Sequence, residues 1–546
     1  MTLKYPVGVQ DFRKIIRGNY TYVDKTLMIK QILDDGAAVY LYTRPRRFGK
    51  TLNLSMVDYF FNIKYNEDRG LFDGLKISGY KDCLEHRSKY PVIRLDLSGL
   101  VCSTYDELRF SLMRTISQMA SGFSFLEKED LSQWDRKTYD DIITEQYQST
   151  YQLCSSISDF SRILTDVYGV PPIIIIDEYD SCIQKSLHNN DYDDIMELMT
   201  NLLRSTLKSN ENITFGIVSG ILRTAKEDLF SGLNNLDVCD IFDDRFDEFF
   251  GFTQEEVESL AKSSNTPDIL DDLKDWYDGY RFGNKDVYNP WSIINCLKYN
   301  GKLSEYWVNC ESTEIIEDLI LENHSNGVAD DVLSLVSEPT RILTSEIRPT
   351  VTFRDLLTDN PPEVRKINLL SVMVMSGYLK AIPNGDLYDL SIPNKEIVRA
   401  YDNVISRAFG IVRGNRSNLL QYMMSKDQNA TEEELNRLFS PGSVRDEWSH
   451  NDYKHAIMIL FQYLGYDNVT EKESGEGYID MFVYPSRNRP AIAIEIKFTK
   501  TNKSLQTLAD QALNQISDRG YTSKDDDAIL CGIAFNRKKC AVRFGN

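Results

Sequence analysis

The chain has 546 residues, 42% hydrophobic and 26% charged, a composition for a globular protein of two to four domains. No run approaches the roughly 20 apolar residues of a membrane helix and Met1 to Asp11 lacks a signal-peptide core, so no membrane partner is expected. The net charge of −20 disfavours nonspecific nucleic-acid binding by the whole surface. Nine scattered cysteines with no C-x-x-C pair, and only five histidines, argue against a zinc site or disulfide framework and for reduced thiols in the cytoplasm.

In chain order, the first informative element is an apolar strand at residues 38–42, followed by Thr43-Arg44-Pro45-Arg46-Arg47-Phe48-Gly49-Lys50-Thr51. A helical pattern opens at Thr51. A strand, a glycine-containing turn and a helix N-terminus form an anion site. The spacing matches a phosphate-binding loop, G-x-x-x-x-G-K-[S/T], with Arg44 at the leading glycine. Such a loop binds phosphates through its backbone N–H groups and lysine, and Mg²⁺ through its hydroxyl.

Residues 92–97 read as a second strand. Pro171-Pro172-Ile173-Ile174-Ile175-Ile176-Asp177-Glu178 reads as a strand buried on both faces that ends in an acidic pair. Such an end is where open α/β sheets bind ligands. Asp177 is placed to hold Mg²⁺, and Glu178 to polarise the water that attacks a γ-phosphate. A further strand at 213–218 ends at Ser219. This residue is a candidate γ-phosphate sensor, with an ordinary strand-end turn as an equal alternative. Arg223 or Lys226 would add charge stabilisation. The alternation of strands and helices predicts a doubly wound α/β domain over 1–250.

From Gly251 the pattern turns helical, opening with a Thr253…Glu256 capping box. It continues through Trp276 to Phe282 and Tyr288-Asn289-Pro290-Trp291-Ser292. This predicts a helical lid over 251–345 packed by aromatics rather than a cofactor box. Residues 346–435 are expected to form a connecting subdomain, with a loop at Asp359 to Pro362 and core pieces at 369–379 and 387–392.

Residues 436–546 form the last expected domain. The net negative charge lies outside residues 441–546, which carry equal numbers of acidic and basic residues. An apolar helix at 455–464 precedes a strand holding Asp480 and a second strand, Ala491-Ile492-Ala493-Ile494-Glu495-Ile496-Lys497. Residues two apart share a strand face, so Glu495 and Lys497 point together, and Asp480 comes from the neighbouring strand. Two carboxylates suit Mg²⁺. A lysine beside them suits water activation or charge stabilisation in phosphodiester cleavage. Glu495 interrupts an otherwise apolar run, so partial burial is expected. Gln515, on the helix that follows, is a possible supporting residue; a polar face on a packed helix is the equal alternative.

Together these residues resemble bacterial AAA-ATPase-like proteins with a C-terminal nuclease domain of the PD-(D/E)XK superfamily. The likeness runs nearly the whole length, through Pro6 to Phe12, Tyr22 to Thr26, Arg44 to Thr51, Ile176 to Tyr179, Leu229 to Asn235, Tyr288 to Pro290, Tyr306-Trp307 and the Asp480/Glu495/Lys497 set. The resemblance implies a P-loop NTPase sheet, a helical lid and connector, and a restriction-endonuclease-like α/β domain. It places nucleotide binding on Gly49, Lys50 and Thr51, within the loop Arg44, Pro45, Arg46, Arg47, Phe48, Gly49, Lys50 and Thr51. It places Mg²⁺ on Thr51 and Asp177, water activation on Glu178, nuclease metal binding on Asp480 and Glu495, and the catalytic lysine at Lys497. Ile479 stands where the superfamily pattern has its leading proline. Paired arginines in such loops also occur in ATPases of signalling, mobile-element and defence type.

The expected function is an ATPase with ATP and Mg²⁺ as cofactors, coupled to a Mg²⁺-dependent nuclease acting on nucleic acid. A nucleotide-dependent switch with a non-cleaving nuclease fold is the alternative. A homo-oligomer is the partner expectation of a third reading, an ATP-driven motor. That motor needs an arginine in trans, for which Arg223 and Arg245 are candidates.

Overall fold

The computed structural model describes residues 3–545 except 124–125, 127–130, 187–188, 209, 223–234, 308–334, 336–340, 352–354, 356–359, 409–417, 439–449, 464–467, 475–476, 485–489, 502, 520–527 and 537–538. The chain forms two compact units. One comprises Met1–Asn309 and Thr344–Glu396, the other Cys310–Leu343 and Ile397–Asn546. This division by compactness cuts across the connecting subdomain expected at 346–435.

In the first unit, α1 (Phe12–Arg17) and α2 (Leu27–Asp35) precede a parallel sheet of β1 (Val39–Thr43), β2 (Val92–Asp96), β3 (Ile173–Asp177), β4 (Gly216–Gly220) and β5 (Leu236–Cys239). Its order is β2–β3–β4–β1–β5, and every pair is parallel. Every residue of β1, β3 and β4 is buried, as required of strands covered on both faces. Helices α3 (Lys50–Phe61), α4 (Tyr105–Ser121), α5 (Thr150–Tyr168), α6 (Ser181–Lys185) and α7 (Tyr192–Leu207) occur in the intervening connections. Because β4 lies between β1 and β3, the register sets Tyr42 beside Ser219 and Ile176 beside Val218. The strand ends that carry the loop, the acidic pair and Ser219 are therefore neighbours.

The Thr253…Glu256 capping box forms at the start of α8 (Gln254–Ser263). The aromatic stretch after it divides into α9 (Leu270–Tyr277) and a hairpin, β6 (Tyr280–Phe282) and β7 (Lys285–Val287). Gly279 has φ +89, and a Cβ there would lie 2.1 Å from the Pro393 carbonyl oxygen, so the turn requires glycine. Asn289 caps α10 (Pro290–Lys298) through the Trp291 and Ser292 amides, with Pro290 at the first position, where its missing N–H costs nothing. Val257, Leu273, Tyr277, Tyr288 and Ile293 form the apolar centre of this region. Later come α11 (Pro362–Met375) and the hairpin β8 (Lys380–Asn384) and β9 (Leu387–Ser391). Then α12 (Lys395–Ala408) begins in the first unit, and its residues from Ile397 onward belong to the second.

The second unit contains α13 (His450–Tyr463) and a mixed sheet of β10 (Asn468–Ser474), β11 (Gly477–Val483), β12 (Ile492–Phe498), β13 (Ile529–Phe535) and β14 (Cys540–Phe544), in that order. β12 and β13 are parallel and the other pairs antiparallel. A parallel pair needs a long crossover, which α14 (Leu505–Asp518) supplies. Among the described residues no helix is long and apolar enough to cross a membrane.

Candidate functional sites

The first site lies where β1, β3 and β4 end. Gly49, at φ +85, caps α3 and turns the chain from the loop into the helix. The Lys50 ammonium is buried and donates to the carbonyls of Arg44 at 3.0 Å and Pro45 at 3.2 Å. It lies 3.9 Å from Glu178 Oε1. Glu178 has φ +54, a left-handed conformation costly for a side-chain-bearing residue and concentrated at functional sites.

Asp177 is buried and accepts a hydrogen bond from the Ser219 hydroxyl at Oδ1, while Oδ2 is buried with no hydrogen-bond partner. Burial raises its pKa, against the lowering influence of the Ser219 and Thr51 hydroxyls. A buried carboxylate oxygen left without a hydrogen-bond partner is a hard oxygen donor, which fits Mg²⁺. Ser219 thus holds the acidic residue of the neighbouring strand.

The arginines of the loop take three different courses. Arg44 is fully buried. Its Nη1 donates to the Thr43 carbonyl at 2.9 Å and the Cys239 carbonyl at 2.7 Å, and its guanidinium lies 5.1 Å from the ring centres of both Phe250 and Phe282. The side chain is turned into the core. Arg46 donates to Gln184 Oε1 at 3.0 Å, and Arg47, at φ +69, stacks 4.4 Å above Trp291. Phe48 packs edge-on against Tyr280 and Phe282, so only its backbone is available to a phosphate. Arg223 and Lys226 lie outside the described residues. Arg245 is bound by Asp237 and Asp243 within its own unit.

The second site lies on β11 and β12. The Asp480 amide donates to Glu495 Oε2 at 3.3 Å, and the Ile496 amide donates to Asp480 Oδ2 at 2.8 Å. Lys497 Nζ donates to Glu495 Oε1 at 3.1 Å and to Gln515 Oε1, from α14, at 2.6 Å. Asp480, Glu495, Lys497 and Gln515 therefore converge, with Glu495 only 3% exposed.

The two carboxyls are pushed apart. Burial and the Asp480 charge raise Glu495, with Lys497 opposing. Burial also raises Asp480, but His450, the Ile496 amide and Lys454 outweigh it, and the net shift is downward. Among the described residues no group of three His, Cys, Asp or Glu side chains gathers as a metal cage. Two carboxylates leave positions for water and a phosphate oxygen, a donor set that suits Mg²⁺.

Several residues at these sites carry no motif. His450 Nε2 lies 2.9 Å from the Ile496 carbonyl and 3.4 Å from Asp480 Oδ2. It sits five residues before the apolar run that marks its helix. Asp180, buried beyond the acidic pair, accepts from the Ile221 and Leu222 amides and from Gln184. It links the Arg46 partner to the end of β4. Trp307 donates its indole N–H to the Arg46 carbonyl at 3.1 Å. The Tyr306-Trp307 pair was visible in sequence, but not its partner.

Residues 6–230 match the family described as a predicted AAA-ATPase, and residues 450–544 match the PD-(D/E)XK nuclease superfamily. A protein of Azotobacter chroococcum mcd 1, named "Uncharacterized protein in vnfD 5'region", is 26% identical over 564 residues, spanning 99% of this chain and 98% of its own length.

Proposed function

Since the chain joins an AAA-ATPase-like N-terminal domain to a C-terminal domain of the PD-(D/E)XK nuclease superfamily, we propose that it hydrolyses ATP and uses the nucleotide state to license Mg²⁺-dependent cleavage of nucleic acid. The observation that supports this most is the convergence of Asp480, Glu495, Lys497 and Gln515 from two strands and a helix.

In this reading, Lys50 leaves the loop carbonyls to meet the β- and γ-phosphates, beside backbone N–H groups at the start of α3. Thr51 and Asp177 hold Mg²⁺, with Ser219 keeping Asp177 oriented. Glu178 accepts a hydrogen bond from the attacking water. At the second site Asp480 and Glu495 hold Mg²⁺, which supplies Lewis acidity when bound. Lys497, steadied by Gln515, orients the water or stabilises charge on the phosphate. A setting in defence or mobile-element biology is part of the same proposal and rests only on the likeness of the loop's paired arginines to those of ATPases of these types.

The test is an assay with DNA or RNA and Mg²⁺, with and without ATP. Cleavage should require ATP and disappear in Asp480→Ala. Glu178→Gln should lower ATP turnover by about 100-fold or more while retaining nucleotide affinity. No cleavage of any DNA or RNA would overturn the nuclease half. ATP binding that Lys50→Ala removes, with no Mn²⁺ held by Glu495, would then favour a non-cleaving nucleotide switch.

A further inference from the structure

Five consecutive loop residues are each held by residues from beyond position 249. Arg44 lies between Phe250 and Phe282. Pro45 abuts Gly377, where an added Cβ would lie 3.1 Å from the proline ring. The Arg46 carbonyl accepts the Trp307 indole N–H, Arg47 stacks on Trp291, and Phe48 packs against Tyr280 and Phe282. The substituted half of the loop is the part that is gripped.

Two of these contacts converge on one buried carboxylate. Glu396 is 0% exposed. Its Oε1 accepts from the Trp307 backbone amide at 2.7 Å and its Oε2 from the Ser292 hydroxyl at 2.7 Å. Trp307 is the residue on the Arg46 carbonyl, and Ser292 follows the residue under Arg47. Trp307 is itself buried, its ring 5.1 Å from Tyr378. Glu396 is the second residue of α12, and the boundary between the compact units falls immediately after it.

The loop has a reason to change shape. Lys50 now satisfies the carbonyls of Arg44 and Pro45. A lysine that turns to a phosphate must release them, and released carbonyls reorient to find other partners. The next carbonyl along, that of Arg46, is the one Trp307 holds.

We propose that phosphate occupancy of the loop is read by Trp307 and Glu396 and passed to α12, the helix along which the chain passes from the first unit into the last segment of the second. This rests on the nucleotide reading of the first site. It adds the route by which that site is reported. Trp307 and Glu396 are positioning residues that touch no phosphate. The indole bond to Arg46 is the two-state element, made or broken with the loop's conformation.

Hydrogen exchange of the full chain, with and without Mg²⁺ and a non-hydrolysable ATP analogue, tests the route, with binding followed separately by calorimetry. In the wild type, nucleotide should change amide exchange in residues 395–408 by about fivefold or more. Trp307→Phe keeps an aromatic ring at this position and removes the indole N–H. It should bind nucleotide within about threefold of the wild type yet lose most of that change. Glu396→Gln, which keeps the shape and one carbonyl acceptor, should show a weakened change. Nucleotide binding with unaltered exchange at 395–408, or an undiminished change in Trp307→Phe, would overturn the route while leaving the nucleotide reading intact. Absence of nucleotide binding by calorimetry would overturn both.

Discussion

Two buried ionisable residues illustrate how burial decides a role. Arg44 stands at a glycine position of a phosphate loop, yet its guanidinium bonds to two carbonyls and faces two aromatic rings. Burial lowers its pKa, and the negative faces of the rings offset part of that cost. Its residue type was legible, but its direction was not, because a long side chain at a strand end can turn to either side of the loop. Glu396 has hydrogen-bond donors but no cation among the partners described above. Burial, with the Glu305 charge adding to it, pushes its pKa up to about 7 from an ordinary 4.5. The folded chain therefore binds this proton more tightly than the unfolded chain does. The stabilisation is complete below about pH 4.5 and is lost as pH rises through about 7. Wild type should lose about 3 kcal/mol of stability across that window. Glu396→Gln should lose that much less, as measured by urea unfolding at each pH. Parallel pH profiles for the two proteins would show that Glu396 does not titrate there.

At the scale of elements, local signals were the most readable. The Thr253…Glu256 box forms as its spacing requires, and it does more than cap a helix. Glu256 also receives both carboxylate contacts from buried Lys25, at 2.8 and 2.7 Å, and Lys25 donates further to the Glu248 carbonyl. The box therefore fixes the partner of a buried lysine from the Tyr22 to Thr26 stretch. Thr253→Ala should cost about 1 kcal/mol, read as a lower urea midpoint for the first unit, and Thr253→Ser should restore most of it. Equal losses in both variants would mean that the hydroxyl bond contributes nothing. The four isoleucines of β3 were legible as a doubly covered strand because such strands lack polar alternation. The C-terminal ends of β1 and β4 fell one and two residues beyond expectation, and β4 began three residues later than expected, since the parallel ladder rather than local propensity sets where a strand starts and stops.

At the scale of the molecule, the chain passes between its compact units three times, after residues 309, 343 and 396. No composition shift marks these crossings, so they could not be read as linkers. The first unit is completed only when residues 344–396 return to it. Calorimetry of the full chain should give two transitions. A Mg²⁺–nucleotide complex at about 100 times its dissociation constant should raise one of them by the equivalent of about 2.7 kcal/mol. That shift should vanish in Lys50→Ala while the other transition stays in place. One transition moving as a whole would mean that the units unfold as a single cooperative body.

The sequence by itself determined the features whose causes lie within a few residues: the Gly49-Lys50-Thr51 turn into a helix, the β3 run ending in Asp177-Glu178, the Thr253 box, and the shared face of Glu495 and Lys497. Period and capping are local properties of the backbone. Only the tertiary structure decided that Arg44 turns inward, that Trp307 reaches a carbonyl 261 residues away, and that His450 sits beside Asp480. Those partners are chosen by packing and register across the chain, where many pairings satisfy the same local pattern and burial selects one.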